Sequence, residues 1–174
     1  MEAQDKLKRF DQSIMPHMDA AYNLARWLAG NETDAQDIVQ DAFLRAFKFF
    51  GGFRGGDSRS WLLRIVRNCF YDWLRRQGHP EFTTSFDEQA HGPPTDAPSP
   101  DAVLLEKADK ELVHQAIEAL PMEQREVLVL RELEGLSYKE IAEMAELPIG
   151  TVMSRLARAR EQLRHGLVEL LQKD

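Results

Sequence analysis

Apolar positions along the chain recur at steps of three and four, and few segments alternate with period two, so both halves read as helical. Gly30 suits the end of one helix. Thr33, with Gln36 three positions on, makes a capping box that opens the next helix, predicted to run to about Phe50. Gly51, Gly52, Gly55 and Gly56 then form a loop before a helix predicted from about Ser58 to Gln77. In the second half Pro121, Gly135 and Pro148 divide the chain into four helices. Between the halves the pattern stops. Five of the eight prolines lie from Pro80 to Pro100, among Glu81, Asp87, Glu88 and Asp96, with no Lys or Arg. Proline, low hydrophobicity and one sign of charge make a linker, and a coil of about 22 residues spans roughly 25 Å on average. The expected fold is therefore all-α, with small helical domains at 1–79 and 101–174 joined by an acidic linker at 80–100.

The strongest local pattern is LSYKEIAEMAELPIGTVMSRLARAR, from Leu136 to Arg160. Ser137 can cap a helix while Glu140 returns the bond, and Leu136 can pack on Ile141 as a staple around the same cap. Leu147-Pro148-Ile149-Gly150 is a tight break before a second helix. Two short helices across such a break form a helix-turn-helix, whose second helix enters a major groove. At about 100° per residue, Val152, Leu156, Ala159, Leu163, Leu167 and Leu170 fall on one stripe facing the core. Thr151, Ser154, Arg155 and Arg158 fall on the other side, where hydroxyls and guanidinium groups suit phosphates and base edges. A solvated helix face is the competing explanation for the arginines alone; the cap, staple and break upstream favour duplex DNA.

A second basic segment, FRGGDSRSWLLRIVRNCFYDWLRR, runs from Phe53 to Arg76 and sets six arginines against Asp57 and Asp72. Trp61, Leu62, Ile65, Val66, Cys69 and Trp73 make an apolar helix face, and Arg64, Arg67, Asn68, Tyr71 and Arg75 recur on the other. Charge that tracks a backbone, beside flat groups that stack on unpaired bases, suits a single strand. Trp61 and Trp73 read as core in preference to stacking platforms. Phe53 and Arg54, beside the glycine loop, are the better contact candidates. On the preceding helix Asp37, Gln40 and Asp41 share a face. Carboxylates at i and i+4 repel, so they require either a solvated face or a basic partner.

The whole chain of 174 residues has a net charge of −7, which by itself speaks against nucleic acid. The distribution reverses that inference. Residues 1–79 hold 12 basic and 10 acidic side chains, the linker holds four acids, and 101–174 holds 10 basic against 15 acidic. Within the last part, residues 151–174 have five basic and three acidic residues. One cysteine, Cys69, excludes an internal disulfide and fits a reducing compartment. No apolar run approaches the ~18–20 residues of a membrane span, and no signal peptide opens the sequence, so a cytoplasmic protein without direct membrane insertion is expected. No P-loop, HExxH, CxxC or Gly-x-Ser-x-Gly pattern is present and the five histidines are scattered, so no enzyme, metal or cofactor is expected.

Taken together these residues resemble the extracytoplasmic-function sigma factors, the small bacterial transcription-initiation subunits built from regions 2 and 4. The resemblance runs from about Phe10 to Leu171. It rests on DIVQDAFLRAF (Asp37–Phe47), FRGGDSRSWLLRIVRN (Phe53–Asn68), ALPMEQREVLVLRELEGLSYKEIAE (Ala119–Glu143) and GTVMSRLARAR (Gly150–Arg160). It implies that Asp37, Gln40 and Asp41 dock on the clamp helices of the polymerase β′ subunit. It also implies that Phe53, Arg54, Ser58, Trp61, Arg64, Arg67 and Asn68 lie in the block that melts the −10 element and captures the non-template strand. Region 4, which also meets the β flap, would read the −35 duplex through Thr151, Ser154, Arg155 and Arg158, with Tyr138 and Lys139 on phosphates. Asp87, Glu88 and Asp96 would face the channels that RNA occupies. An anti-sigma protein is implied as a partner, and through it a hold at the inner membrane. Met153 departs from the family, since many relatives carry Lys or Arg there. Two other classes compete: a stand-alone helix-turn-helix regulator, which leaves the Arg/aromatic helix unexplained, and a sigma mimic, whose DNA-contacting residues would be eroded.

Overall fold

The computed structural model describes residues 1–78 and 110–173, all without strands. The expected linker, with Asp87, Glu88 and Asp96, lies outside the described residues. The chain divides into two compact units, Met1–Ser85 and Phe86–Asp174.

The first unit contains α1 (Glu2–Ser13), α2 (Met18–Ala29), α3 (Glu32–Phe49) and α4 (Ser58–Arg76). Short 3₁₀ turns at Met15–His17 and Phe50–Gly52 connect or extend them. Helices α2, α3 and α4 pack on one another. Alanines make this close approach possible: Ala21, Ala25, Ala35, Ala42 and Ala46 are all fully buried, interleaved with Leu24, Ile38, Leu62 and Val66. Gly30, at φ +87, ends α2 in the left-handed conformation that glycine tolerates. The cap of α3 is not the expected one. Asn31 lies in extended backbone and its side chain accepts from the Asp34 N–H at 2.8 Å, so the helix starts ahead of Thr33. Thr33 and Gln36 lie inside α3, and Gln36 bonds Glu32 instead. Asp57 caps α4 by accepting from the Ser60 N–H at 3.1 Å.

On α4 the buried stripe is Leu62, Leu63, Val66, Cys69, Phe70 and Leu74. It lies rotated from the expected apolar face, toward Leu63, Phe70 and Leu74. Trp61, Ile65 and Trp73 are left only half-buried. Cys69 is fully enclosed; burial, with the nearby Asp41 carboxylate, outweighs Arg45 and pushes its thiol up to about 12. It is a packed, protonated side chain at neutral pH.

The second unit contains α5 (Lys110–Glu118), α6 (Met122–Leu128), α7 (Tyr138–Ala145) and α8 (Ile149–Gln172). Helix α6 runs on into a π turn at Val129–Leu133, closed by Gly135 at φ +70 and by the Leu136 N–H on the Leu130 carbonyl. The expected capping box is present: Glu140 N–H donates to Ser137 Oγ at 3.0 Å and Ser137 N–H to Glu140 Oε1 at 3.0 Å. Leu136 and Ile141 are both buried. Helix α7 ends on Glu146 at φ 57, the only non-glycine residue with positive φ among the described residues, and Pro148 then starts α8. Val152, Leu156, Ala159, Leu163 and Leu167 are buried as one stripe, with Leu170 half-buried beyond them.

Two outcomes follow for stability. All three tryptophans belong to the first unit, so their fluorescence reports it alone, while circular dichroism reports both. Ser137→Ala is expected to cost the second unit about 1 kcal/mol. It should shift only the dichroism transition in urea; a shift in tryptophan fluorescence would contradict the division into units. In the first unit, Arg45 Nη1 on α3 donates to Asp72 on α4 at 2.7 Å, and Arg75 binds the other oxygen. Burial pushes the Asp72 carboxyl up, but these two arginines outweigh it and hold it below the ordinary range. A carboxyl lowered on folding adds stability above its unfolded pKa and loses it as pH falls through its folded one. Asp72→Asn is therefore expected to lower the fluorescence midpoint at neutral pH, with the difference vanishing in acid. Equal midpoints at neutral pH would show that the bridge contributes nothing.

Candidate nucleic-acid interfaces and an acidic groove

Where α3 ends and α4 begins, the chain leaves a groove of about 570 Å³ lined by Lys48, Phe49, Gly51, Gly52, Trp61, Arg64, Ile65 and Asn68. Three of the residues expected on the single strand, Trp61, Arg64 and Asn68, meet here. Arg64 and Asn68 are exposed one turn apart on α4. The other expected residues are placed differently. Phe53 is half-buried in a ring cluster, 5.1 Å from Trp61 and stacked 5.8 Å from Phe50. Phe50 in turn meets Phe10 of α1 edge-on. Arg54 is exposed in the loop. The Ser58 hydroxyl shares a hydrogen bond with His17 Nε2 at 3.1 Å, and the Arg67 guanidinium lies 4.5 Å over the Tyr71 ring. The groove therefore gathers half-buried apolar surface, exposed amide and cationic groups and bare glycine backbone in one place.

On another part of the unit a shallower groove of about 520 Å³ is lined by Asp37, Gln40, Asp41, Leu44, Trp73, Arg76 and Gln77. It brings the three expected acidic-face residues together. The repulsion anticipated between Asp37 and Asp41 is offset by Arg45, whose Nη2 lies 3.2 Å from the Asp41 carboxylate one turn on. Leu44 continues the face and is 67% exposed, the kind of apolar centre a protein partner covers. It was legible in the sequence as the next step of the 37, 40, 41, 44 spacing. Trp73 and Arg76 come from α4 and were not, because only the packing of α3 on α4 joins them to this face.

In the second unit α7 and α8 pack across the Glu146–Pro148 break, as a helix-turn-helix requires. Thr151, Ser154 and Arg158 stand half-exposed along the first turns of α8, and Lys139 is exposed on α7. Arg155 does not join them. It is only 9% exposed, because around the helix it lies about 60° from Val152 and about 40° from Ala159, at the edge of the core stripe. Its expected place on the outward face is thereby corrected. The Ser154 hydroxyl donates to the Gly150 carbonyl at 2.9 Å, which leaves its oxygen as an acceptor. Tyr138 lies under the Arg131 guanidinium at 4.6 Å. Arg160, in spite of its burial, is held charged by Glu132 and Tyr138, with its pKa raised. Met153 is half-buried and supplies no charge.

Among the described residues no His, Cys, Asp and Glu cluster could hold a metal ion, and no helix is long and apolar enough to cross a membrane.

Comparison with known proteins agrees with this division. The family model for sigma-70 region 2 matches residues 14–79, and that for sigma-70 region 4 matches residues 110–163. The chain is 34% identical over 166 residues to the ECF RNA polymerase sigma factor SigE of Mycolicibacterium smegmatis, covering 95% of this chain and 64% of that protein. It thus spans just under two thirds of that relative's length. It is 35% identical over 173 residues to the RNA polymerase sigma-H factor of Pseudomonas aeruginosa, covering 95% of this chain and 90% of that one. Among solved structures, the sigma factor RpoE from Bartonella quintana, in complex with the anti-sigma factor NepR, superposes with a TM-score of 0.72. That match has 29% identity and covers 92% of this chain and 98% of the other. With an acidic groove and a basic aromatic groove on one helical unit and a helix-turn-helix on the other, this chain belongs to the extracytoplasmic-function sigma factors of RNA polymerase.

Proposed function

We propose that the chain is a dissociable specificity subunit of bacterial RNA polymerase that recognises −35 and −10 elements and starts transcription of a particular set of promoters. The single observation that carries this is the pairing, within one four-helix unit, of an acidic groove with an exposed leucine and a separate groove lined by Lys48, Arg64, Asn68 and aromatic rings. A duplex-binding regulator that works without polymerase needs neither. The first serves the clamp helices of β′, whose complementary charge would meet Asp37, Gln40 and Asp41 around Leu44. The second serves the non-template strand of the −10 element, held by charge and stacking once its bases leave the duplex.

Residues 110–173 would act at the −35 element. Thr151, Ser154 and Arg158 of α8 face its major groove, with Lys139 on a phosphate and the β flap as the polymerase contact of this unit. Arg155 takes a packing role beneath them. The division of labour is thus 1–79 for docking and melting, 80–100 as the tether, and 101–174 for duplex recognition. Because the solved relative is bound by an anti-sigma factor, a cognate anti-sigma protein is proposed as the regulator here, acting in the cytoplasm or from the membrane.

The test is run-off transcription: core polymerase plus this chain should yield promoter-specific transcripts from its genomic template, and neither alone should. No transcript together with no core binding would overturn the proposal. Asp37→Lys, at an exposed position, is expected to weaken core binding at least tenfold while leaving the helical content unchanged. Arg158→Ala is expected to weaken −35 duplex binding about tenfold, the scale of one lost arginine–base contact, at unchanged core affinity. If Arg158→Ala cost core binding instead, the duplex-reading face would be misassigned.

A further inference from the structure

Three apolar side chains of α8 stand outside its core stripe. Ile149, the first residue, is 49% exposed, Met153 one turn on is half-exposed, and Ala157 after it is exposed. Around the helix Met153 lies about 60° from the buried Leu156 and Ala157 about 100° from it, on the side away from Val152 and Ala159. Burial within the unit gives no reason for an isoleucine and a methionine here, since much of each remains in water. The apolar line runs beside Thr151, Ser154 and Arg158, in a segment, 151–174, with five basic and three acidic residues. Its occupant therefore meets methyl, hydroxyl and cationic groups together. The major groove of a duplex offers that combination, because thymine methyl groups lie there among hydrogen-bonding base edges and close to phosphates.

Two further features of the same turns narrow the choice of base. The Ser154 hydroxyl gives its hydrogen to the Gly150 carbonyl at 2.9 Å. Toward DNA it is therefore an acceptor, suited to the amino groups of adenine or cytosine and not to guanine O6 and N7 or thymine O4. An A·T pair alone presents such an amino group and a methyl group on one major-groove edge. Gly150 lies between Met153 and Ser154 around the helix, one turn earlier. It has no positive φ, and a Cβ built on it would meet nothing within 4 Å. Neither backbone strain nor packing in the fold requires glycine there, and glycine weakens a helix relative to alanine. Bare backbone at that point lets a base-pair edge approach closely.

We propose that α8 selects one A·T pair of its duplex by two contacts: the thymine methyl packs on Met153, and Ser154 Oγ accepts from the amino group of the paired adenine. Ile149 and Ala157 extend the apolar surface on either side of Met153, and Gly150 lets the pair come close. A guanine or cytosine in place of the thymine would leave Met153 against a surface without the methyl. The inference rests on the duplex reading of α8 and adds which base pair is selected and by which groups.

The experiment uses the holoenzyme, formed from the full chain and core polymerase, and a promoter duplex recovered by run-off. Each thymine of the −35 element is replaced in turn by deoxyuridine, which removes one methyl group and leaves the pairing intact. At one thymine the replacement should weaken binding about fourfold, the scale of one buried methyl. Met153→Ala should abolish the thymine–uracil difference at that position and Met153→Leu should retain it, with dichroism in urea checking that both fold. Placing 2-aminopurine, which lacks the 6-amino group, opposite that thymine should weaken binding of the wild type and leave that of Ser154→Ala unchanged. Gly150→Ala should keep or raise the urea midpoint and still lose duplex affinity. An undiminished thymine–uracil difference in Met153→Ala, unchanged affinity in Gly150→Ala, or no thymine sensitive to loss of its methyl would overturn the inference and leave the duplex reading standing. If binding did not depend on the −35 sequence at all, the duplex reading would fall, and this inference with it.

Discussion

The packing of α3 against α4 is the contact on which the first unit depends. Buried alanines on α3 bring the helices close, and Arg45 crosses between them to Asp72. This one seam builds both grooves from the same two helices. Asp37, Gln40, Asp41 and Leu44 of α3 meet Trp73 and Arg76 near the C-terminal end of α4. Lys48 and Phe49 of α3 meet Trp61, Arg64 and Asn68 nearer its N-terminal end. Because the helices run antiparallel through short connections, surfaces of different chemistry arise at the two ends of one packed pair. A shift of α4 along α3 by one turn, roughly 5.4 Å, would dismantle both grooves at once. The Arg45–Asp72 bridge holds against such a shift, and Cys69 beside it stays protonated because its burial outweighs the pull of Arg45.

In the second unit the corresponding constraint is the entry into α8. The Ser137–Glu140 box fixes the start of α7, and the left-handed Glu146 turns the chain before Pro148 begins α8. Glycine would tolerate that conformation at lower cost. With the turn set, the core stripe of α8 dictates its rotation, and rotation alone decides which polar side chains look outward. Arg158 does so, and Arg155 does not. The difference between two arginines three residues apart is thus a packing decision, made by Val152, Leu156 and Ala159 before any DNA is present.

The helices, the break, the capping box and the acidic face were legible because each is local: a cap spans four residues and an amphipathic stripe repeats every turn. The misplaced details are those settled by neighbours. Thr33 has the chemistry of a cap, but Gly30 ends α2 so abruptly that Asn31 takes the position first. Trp61 and Trp73 look like core residues by size, yet Leu63, Phe70 and Leu74 are the ones buried, and the larger indoles line the grooves half-buried. Arg155 sits at a boundary angle that periodicity cannot divide. Phe49 was missed for a related reason: at a helix end among phenylalanines it looks like more core, and only its exposure separates it from Phe50, which is buried.

The net charge of −7 first argues against a nucleic-acid partner. Screening over about 8–10 Å at physiological salt makes local sign more important than the total. Cationic groups cluster at the groove lined by Lys48 and Arg64 and on α8, while much of the acid sits on α3, on the helices ahead of α8 and in the linker sequence. Each unit would therefore hold DNA only weakly by charge, because few phosphates are neutralised and the remaining surface repels the rest. Specific contacts from one helix and one groove cannot together offset that repulsion unless something holds both at the right spacing. On the proposed assignment, a polymerase docked on the acidic face would supply the positioning and remove part of the negative field. The overall acidity would then make promoter binding conditional on polymerase, which is the property the proposed specificity subunit needs.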